Sequence, residues 1–206
     1  MYARSSTFRG RPELLDEGIR FVRDEVLPAM LAMDGCVGLS MLANRDTGLC
    51  ITTSAWHSLE TRKVSEQQVS ELRERIGDNV GGAPEVDQWE IALLHRDHWS
   101  QEGACVRATW VRSDPAEIDR LVDFTKTTTL PMLDEVVGFC SASVMIDRGS
   151  GKGVVAVSFD SALAEENSRA TARDLREKFV NETRGQVLDV EQLDLVMAHL
   201  HAPELV

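Results

Sequence analysis

Aromatic residues make up only 5% of this 206-residue chain, with a single tyrosine, and bases are outnumbered, 22 lysines and arginines against 34 aspartates and glutamates. The net charge of −12 creates a field that repels phosphate backbones and anionic membrane surfaces, which argues against a nucleic-acid partner. No run approaches the ~18 apolar residues of a membrane span, and the chain opens on a strand-like stretch with no apolar signal region. A protein of the cytoplasm, with no membrane partner, is the expectation. The four cysteines, Cys36, Cys50, Cys105 and Cys140, contain no CxxC pair, so they read as small buried thiols in a reducing compartment and not as a disulfide framework. Low-complexity tracts are missing too, and 43% hydrophobic with 27% charged residues is the balance of a chain folded throughout.

What is present is an internal repeat. Leu27, Pro28 and Gly35 return as Leu130, Pro131 and Gly138, each 103 residues later. With that shift held from Ala3 to Glu74, 16 of 72 positions are identical, where unrelated stretches of ordinary composition give about four or five. Matched pairs include Arg4/Arg107, Pro12/Pro115, Phe21/Phe124, Gly48/Gly151 and Leu72-Arg73-Glu74 against Leu175-Arg176-Glu177; one inserted residue then aligns Gln88 and His95 with Gln192 and His199. Two halves follow, residues 1–96 and 104–201, joined by a polar linker over 97–103. Each is large enough for a modest core.

Residues 2–8 and 105–111 are short runs of β-formers. Pro12 and Pro115 suit a first helical turn, with Asp114 available as a cap. Leu15, Ile19, Val22, Val26 and Met30 step as one apolar helical stripe, matched by the wetter Ile118, Val122, Thr125, Thr129 and Leu133. Pro28 and Pro131 predict a kink or a fresh start in the last turn. Hairpins follow, with turn residues Asn44 to Gly48 and Asp147 to Gly151, then a second helix from about Leu59 to Ile76 and its echo at Ala172, Leu175 and Phe179. An alternating strand closes each half, near Gln88–Leu93 and Gln192–Met197. The order β-α-β-β-α-β is the ferredoxin-like one, an α+β arrangement with helices on one sheet face. The twin half is the natural cover for the other face, which predicts the two repeats packed sheet to sheet.

Two tandem ferredoxin-like units, with a Trp at the end of the third strand and a helix start behind it (Trp56-His57-Ser58-Leu59-Glu60), resemble the dimeric α/β-barrel superfamily, specifically its antibiotic-biosynthesis-monooxygenase (ABM) type. The resemblance covers nearly the whole chain. It implies that one chain builds the α/β barrel that family members usually make from two identical chains. Such members include cofactor-independent monooxygenases acting on polyketide-like phenols, and haem-degrading enzymes. In the haem-degrading branch the Trp is joined by an Asn on the first strand and a His on the second helix; no Asn lies in 2–8 and no His in 59–76, so haem turnover is not expected. In the monooxygenase branch an Asn precedes the Trp by four positions, and Thr52 stands there; the second half has Val155 and Phe159.

Against that background Trp56 can stack a planar aromatic ligand or serve as core. His57 can act as a base near neutral pH or lie at the surface. Arg4 and Arg107 recur inside apolar first strands, and Glu90 and Asp194 inside the neighbouring fourth strands. An Arg–carboxylate pair across each is expected to fix register, or the Arg to bind an anionic group. No thiol or carboxylate cluster is seen to complete a site around His95-x-x-His98 or His199-x-His201, so no metal is expected. Gly149-Ser150-Gly151-Lys152-Gly153 leads into a strand and reads as hairpin chemistry, not a phosphate loop. No Ser-His-Asp or Cys-His arrangement emerges, and no catalytic residue or cofactor is assigned.

The ligand-binding candidates are therefore Trp56, Thr52, His57 and Arg4, for a small polar aromatic molecule. The second half replaces Trp56, His57 and Thr52 with Phe159, Asp160 and Val155, which places the expected ligand in the first half. Two function classes stay open. One is a cofactor-independent monooxygenase, or another small-molecule enzyme acting on a polar aromatic compound. The other is a non-catalytic small-molecule-binding or scaffold protein with degenerate ABM pockets. Pairing of two fused barrels as a homodimer is compatible with both.

Overall fold

The computed structural model describes residues 1–200 and 203–205. Strand β1 (Tyr2–Arg9) is followed by a proline-led turn and helix α1, which runs from Leu15–Phe21 through a π-helical turn at Val22–Val26 into Leu27–Leu31. The π turn is the form the expected proline kink takes. Pro28 has no N–H to continue the ladder, and the preceding Leu27 N–H reaches back five residues to the Val22 carbonyl. β2 (Cys36–Asn44) and β3 (Leu49–Trp56) form the hairpin, then α2 (Leu59–Val64), α3 (Glu66–Val80) and β4 (Pro84–Arg96). Ser58 starts α2 with a capping box shared with Thr61.

The repeat follows as β5 (Cys105–Arg112), α4 (Asp119–Phe124, a π turn at Thr125–Thr129, then Leu130–Leu133), β6 (Phe139–Asp147), β7 (Lys152–Phe159), α5 (Ala162–Asn167), α6 (Arg169–Thr183) and β8 (Gln186–Leu200). The eight strands close into one antiparallel barrel in the order β1-β3-β2-β8-β5-β7-β6-β4, the α+β architecture the repeat implied. Among the described residues no helix is long and apolar enough to cross a membrane.

The chain divides into two compact units, and the long fourth strands are where the division falls. The first unit is Met1–Trp89 with the last part of β8 from Leu195; the second is Glu90–Asp194 with the tail from Pro203. In the first, α1 and α3 bury Leu15, Val22, Met30, Val69 and Ile76 against Phe8, Leu39, Met41 and Trp56 of the sheet. In the second, Leu121, Phe124, Leu133, Leu175 and Phe179 meet Leu93, Val144, Ile146 and Phe159, with Phe124 and Phe179 edge to face at 5.8 Å. The wetter stripe of α4 is buried nonetheless. Thr125 is only 1% exposed and its hydroxyl donates to the Leu121 carbonyl at 2.8 Å. β2 and β6 each carry a bulge, between Cys36 and Gly38 and between Phe139 and Ser141, which makes Val37 and Cys140 the extra residues.

Candidate functional site

In the first unit, Arg4 of β1 lies under the junction of α2 and α3. Its guanidinium donates to the Arg62 carbonyl at 2.7 Å and the Ser65 hydroxyl at 3.5 Å, and pairs with Glu66 at 2.6 Å. Burial lowers its pKa, opposed by Glu66. Trp56 is wholly buried, donates from Nε1 to Ser54 Oγ at 3.1 Å, and has Arg4 6.0 Å from its ring centroid. Arg4 and Thr52 share the wall of a cavity of about 20 Å³ with Met30, Leu39, Arg73 and Ile76. Trp56 does not line it, and His57 is exposed at the surface. Of the four expected ligand residues, the fold thus brings Arg4 and Thr52 to one small cavity, packs Trp56 against Arg4 as core, and leaves His57 apart.

The expected pairing of first- and fourth-strand residues is corrected. Arg4 takes Glu66, Arg107 takes Glu165, and Glu90 pairs with Arg148 at 2.8 Å. The reason is directional. Each strand arginine sits on the helix-covered sheet face, where the helix junction offers a carbonyl and a serine hydroxyl as ready acceptors. Arg107 repeats them, donating to the Glu165 carbonyl at 2.7 Å and Ser168 Oγ at 2.9 Å.

The carboxylates, by contrast, have changed places. At the 103-residue shift Arg62 corresponds to Glu165 and Glu66 to Arg169. In the first unit Glu66 holds both Arg4 and Arg73, the latter at 3.1 Å, and Ser70 also accepts from Arg73 at 3.2 Å. In the second, the counterparts of Glu66 and Ser70 are Arg169 and Arg173. Arg176, the counterpart of Arg73, has therefore lost both acceptors, and among the described residues its guanidinium has no hydrogen-bond or ion-pair partner.

That half-buried cation stands in the wall of a larger cavity, about 70 Å³, between the sheet and the helices of the second unit. Leu121, Phe124, Val155, Val157, Leu175 and Phe179 make it mainly apolar, Thr109, Thr125 and Thr129 add hydroxyls, and Arg107 and Arg176 supply its charge. The same two arginines and Ala172 also border an adjoining groove of about 490 Å³, where Arg169 and Arg173 join them against Glu165 and Glu191. Four arginines against two glutamates is a reversal of sign in a chain of net charge −12. Burial lowers the Arg107 pKa most, Glu165 opposes this, and the nearby Arg176 and Arg169 lower it further. Sequence reading overlooked this seat because it weighed aromatic positions; the signal was the exchanged charge at residues 62/165 and 66/169.

Around His98 the reading that no thiol or carboxylate cluster stands nearby is corrected, because Cys140 and Asp160 lie beside it. The three residues are far apart in sequence, so no spacing rule could gather them. His95 lies 3.3 Å from Asp134, and His201 falls outside the described residues.

No family model matches the chain. Among solved structures it superposes on an anthrone oxidase-like protein with a TM-score of 0.66 and 15% identity, covering 95% of this chain and 91% of that one. A ferredoxin-fold protein from Listeria monocytogenes, described as related to antibiotic biosynthesis monooxygenases, gives 0.53 at 9% identity, covering 94% of each. A heme-degrading enzyme from the same organism also gives 0.53 at 9%, covering 95% of this chain and 99% of its own. At such identities the likeness is one of fold, and it bears out the ABM-type resemblance at that level. Relatives in sequence are nearer. The Mycobacterium tuberculosis protein Rv2557 is 45% identical over 206 residues, covering 100% of this chain and 92% of the relative, and Rv2558 of the same organism is 46% identical over 207, covering 100% and 88%. By that likeness, which runs the length of both halves, the chain belongs to the family of the uncharacterized mycobacterial proteins Rv2557 and Rv2558.

Proposed function

We propose that this chain is a small-molecule-binding protein whose ligand is a compact organic anion with an apolar body, held by the second unit. The body fills the cavity beside Phe124 and Phe179, and the anionic group meets Arg176 where cavity and groove share a wall. The observation that carries the reading is Arg176 itself, a partly buried residue at the rim of an apolar cavity whose guanidinium has no protein partner among the described residues. Such a cation, apolar on one side and open to water on the other, is placed to pair with an anionic group whose body is apolar. An anion from solution is the partner the surroundings favour, since Arg107, Arg169 and Arg173 add positive potential there.

The matched cavities between sheet and helices differ in size. About 70 Å³ against about 20 Å³ favours the second unit for anything larger than water. It also weighs on the choice of function. Cofactor-independent oxygenation of a polar aromatic compound is the second reading, supported by the names of the fold neighbours. A polycyclic phenol, however, calls for a pocket nearer the ~300–1,000 Å³ of ordinary ligand sites. Binding of a smaller anion fits the space as it stands.

The test uses benzoate, a compact aromatic anion of the size argued for the cavity, followed by titration calorimetry. Saturable binding to the intact chain is expected, competed by other simple aromatic carboxylates. Arg176→Gln should weaken it about 10- to 100-fold, the worth of one charge-assisted hydrogen bond, with an unchanged melting temperature because Arg176 braces nothing. Equal binding by that variant overturns the reading; oxygen uptake with a phenolic substrate would favour the oxygenase instead.

A further inference from the structure

We propose that His98, Cys140 and Asp160 form a binding site for a divalent metal ion, with zinc the best match. It lies in the second unit, and the proposal is independent of the cavity and of the function read from it.

The three donor atoms, His98 Nε2, Cys140 Sγ and an Asp160 carboxylate oxygen, all lie within 4.8 Å of one another. Nε2 is 2.9 Å and Sγ 3.3 Å from Asp160 Oδ1. A tetrahedral zinc with bonds of about 2.3 Å to sulfur and about 2.0–2.1 Å to nitrogen and oxygen separates its ligand atoms by roughly 3.3–3.6 Å. Closing on an ion thus requires shifts of well under the length of one bond. Thiolate, imidazole and carboxylate together form a mixed soft and hard set that suits zinc better than magnesium or calcium, which take oxygen donors.

The backbone holds these donors in place. The N–H groups of Asp97 and His98 both donate to the Cys140 carbonyl, at 2.9 and 3.2 Å, tying the connector after β4 to β6. The Asp160 N–H donates to the Gly138 carbonyl at 2.8 Å. Cys140 is the extra residue of the β6 bulge, a device that re-aims one side chain out of the alternation of its strand. Asp97 then supplies what a histidine ligand usually has behind it. Its carboxylate lies 2.8 Å from His98 Nδ1, so that nitrogen donates to it and Nε2 is turned to the other two donors.

The first unit has the bulge without the ligands. Val37 and His57 occupy the positions of Cys140 and Asp160, so neither the repeat nor the barrel requires this set. Access is one-sided: Cys140 is buried, while the His98 and Asp160 side chains are 41% and 45% exposed. Three protein ligands with a solvent side leave the fourth coordination place to water, the open arrangement of zinc sites that act on a substrate.

The experiment uses the full chain, stripped with a chelator and titrated with cobalt(II) as the spectroscopic substitute for zinc. One equivalent should bind, with a thiolate-to-cobalt charge-transfer band that zinc(II) then abolishes by displacement. Cys140→Ser should lose the band, and Cys36→Ser should keep it. The surface change His98→Ala should lower affinity at least tenfold, and it decides the matter if Cys140→Ser does not fold. Asp97→Asn, which alters only the residue behind the ligand, should weaken binding by about 10- to 100-fold while retaining the band. No saturable single equivalent, or undiminished binding by His98→Ala, overturns the site.

Discussion

Replacing Glu165 by Gln isolates the buried ion pair of the second unit. Arg107 and Glu165 are 6% and 2% exposed and in direct contact, so removing one charge leaves the other with little water to turn to. Breaking such a pair typically costs about 3–5 kcal/mol. The lower end applies here for two reasons. The carbonyl of residue 165 and the Ser168 hydroxyl, at 2.7 and 2.9 Å, still accept from Arg107 in the variant, and the wild-type Glu165 Oε2 is itself buried with no hydrogen-bond partner. A loss of about 3 kcal/mol is therefore expected, a large share of the ~5–15 kcal/mol that holds a domain folded. With a urea slope near the upper end of the ~1–3 kcal/mol/M range, the unfolding midpoint should fall by about 1 M, read by tryptophan fluorescence. The double change Arg107→Met with Glu165→Leu removes both charges and should recover most of the loss. If Glu165→Gln unfolds within ~0.5 kcal/mol of the parent, or the double variant is worse than the single, the pair is not the brace described.

Trp56→Phe removes a wholly buried indole and its hydrogen bond to Ser54. It should cost about 1–3 kcal/mol of stability and leave benzoate binding in the second unit unchanged; weakened binding without a stability loss would return Trp56 to the list of ligand residues. In the second hairpin, Asp147 accepts from the Ser150 hydroxyl and the Gly149 N–H, which lower its pKa from 3.8. Its contribution is present above that ordinary value and lost as pH falls through the lower folded one. Asp147→Ala should therefore differ from the parent in melting temperature at pH ~6 and converge with it near pH ~2, and a constant difference across that range would refute the assignment.

How far the sequence reached depended on the range of the interaction. Periodicity and turn residues are local, and Leu15 to Met30, Asn44 to Gly48 and the matched Pro28 and Pro131 placed helices, hairpins and kinks because each works within a few positions. The family resemblance placed Trp56 at the end of β3 for the same reason. The chemistry was less legible. An arginine in a strand looks as if it should meet the carboxylate of the next strand, but Arg4 and Arg107 find acceptors at a helix junction about 60 residues away in sequence, |i−j| of 58 and 61 in both halves. Likewise His98, Cys140 and Asp160 meet only because two strand ends and a connector converge.

The arginines also explain how the two halves came to differ without losing their common frame. Arg4 and Arg107 each bind one carbonyl and one serine at matched positions, contacts made with backbone and hydroxyl groups that do not depend on where the counter-charge sits. The carboxylate was therefore free to move, from Glu66 in the first half to Glu165 in the second. That move has a side effect. Glu66 serves two arginines, Arg4 and Arg73, whereas Glu165 is buried against Arg107, and Arg176 is left without a partner. Arg73 lines a cavity of about 20 Å³ in the first half, and its counterpart Arg176 lines one of about 70 Å³ in the second. The same rearrangement that preserves the helix-to-strand brace thus accounts for the charge at the cavity's rim, while smaller residues such as Ala172 in place of Val69 bear on its volume. The unpartnered Arg176 follows from two exchanges, Glu66 for Arg169 and Ser70 for Arg173.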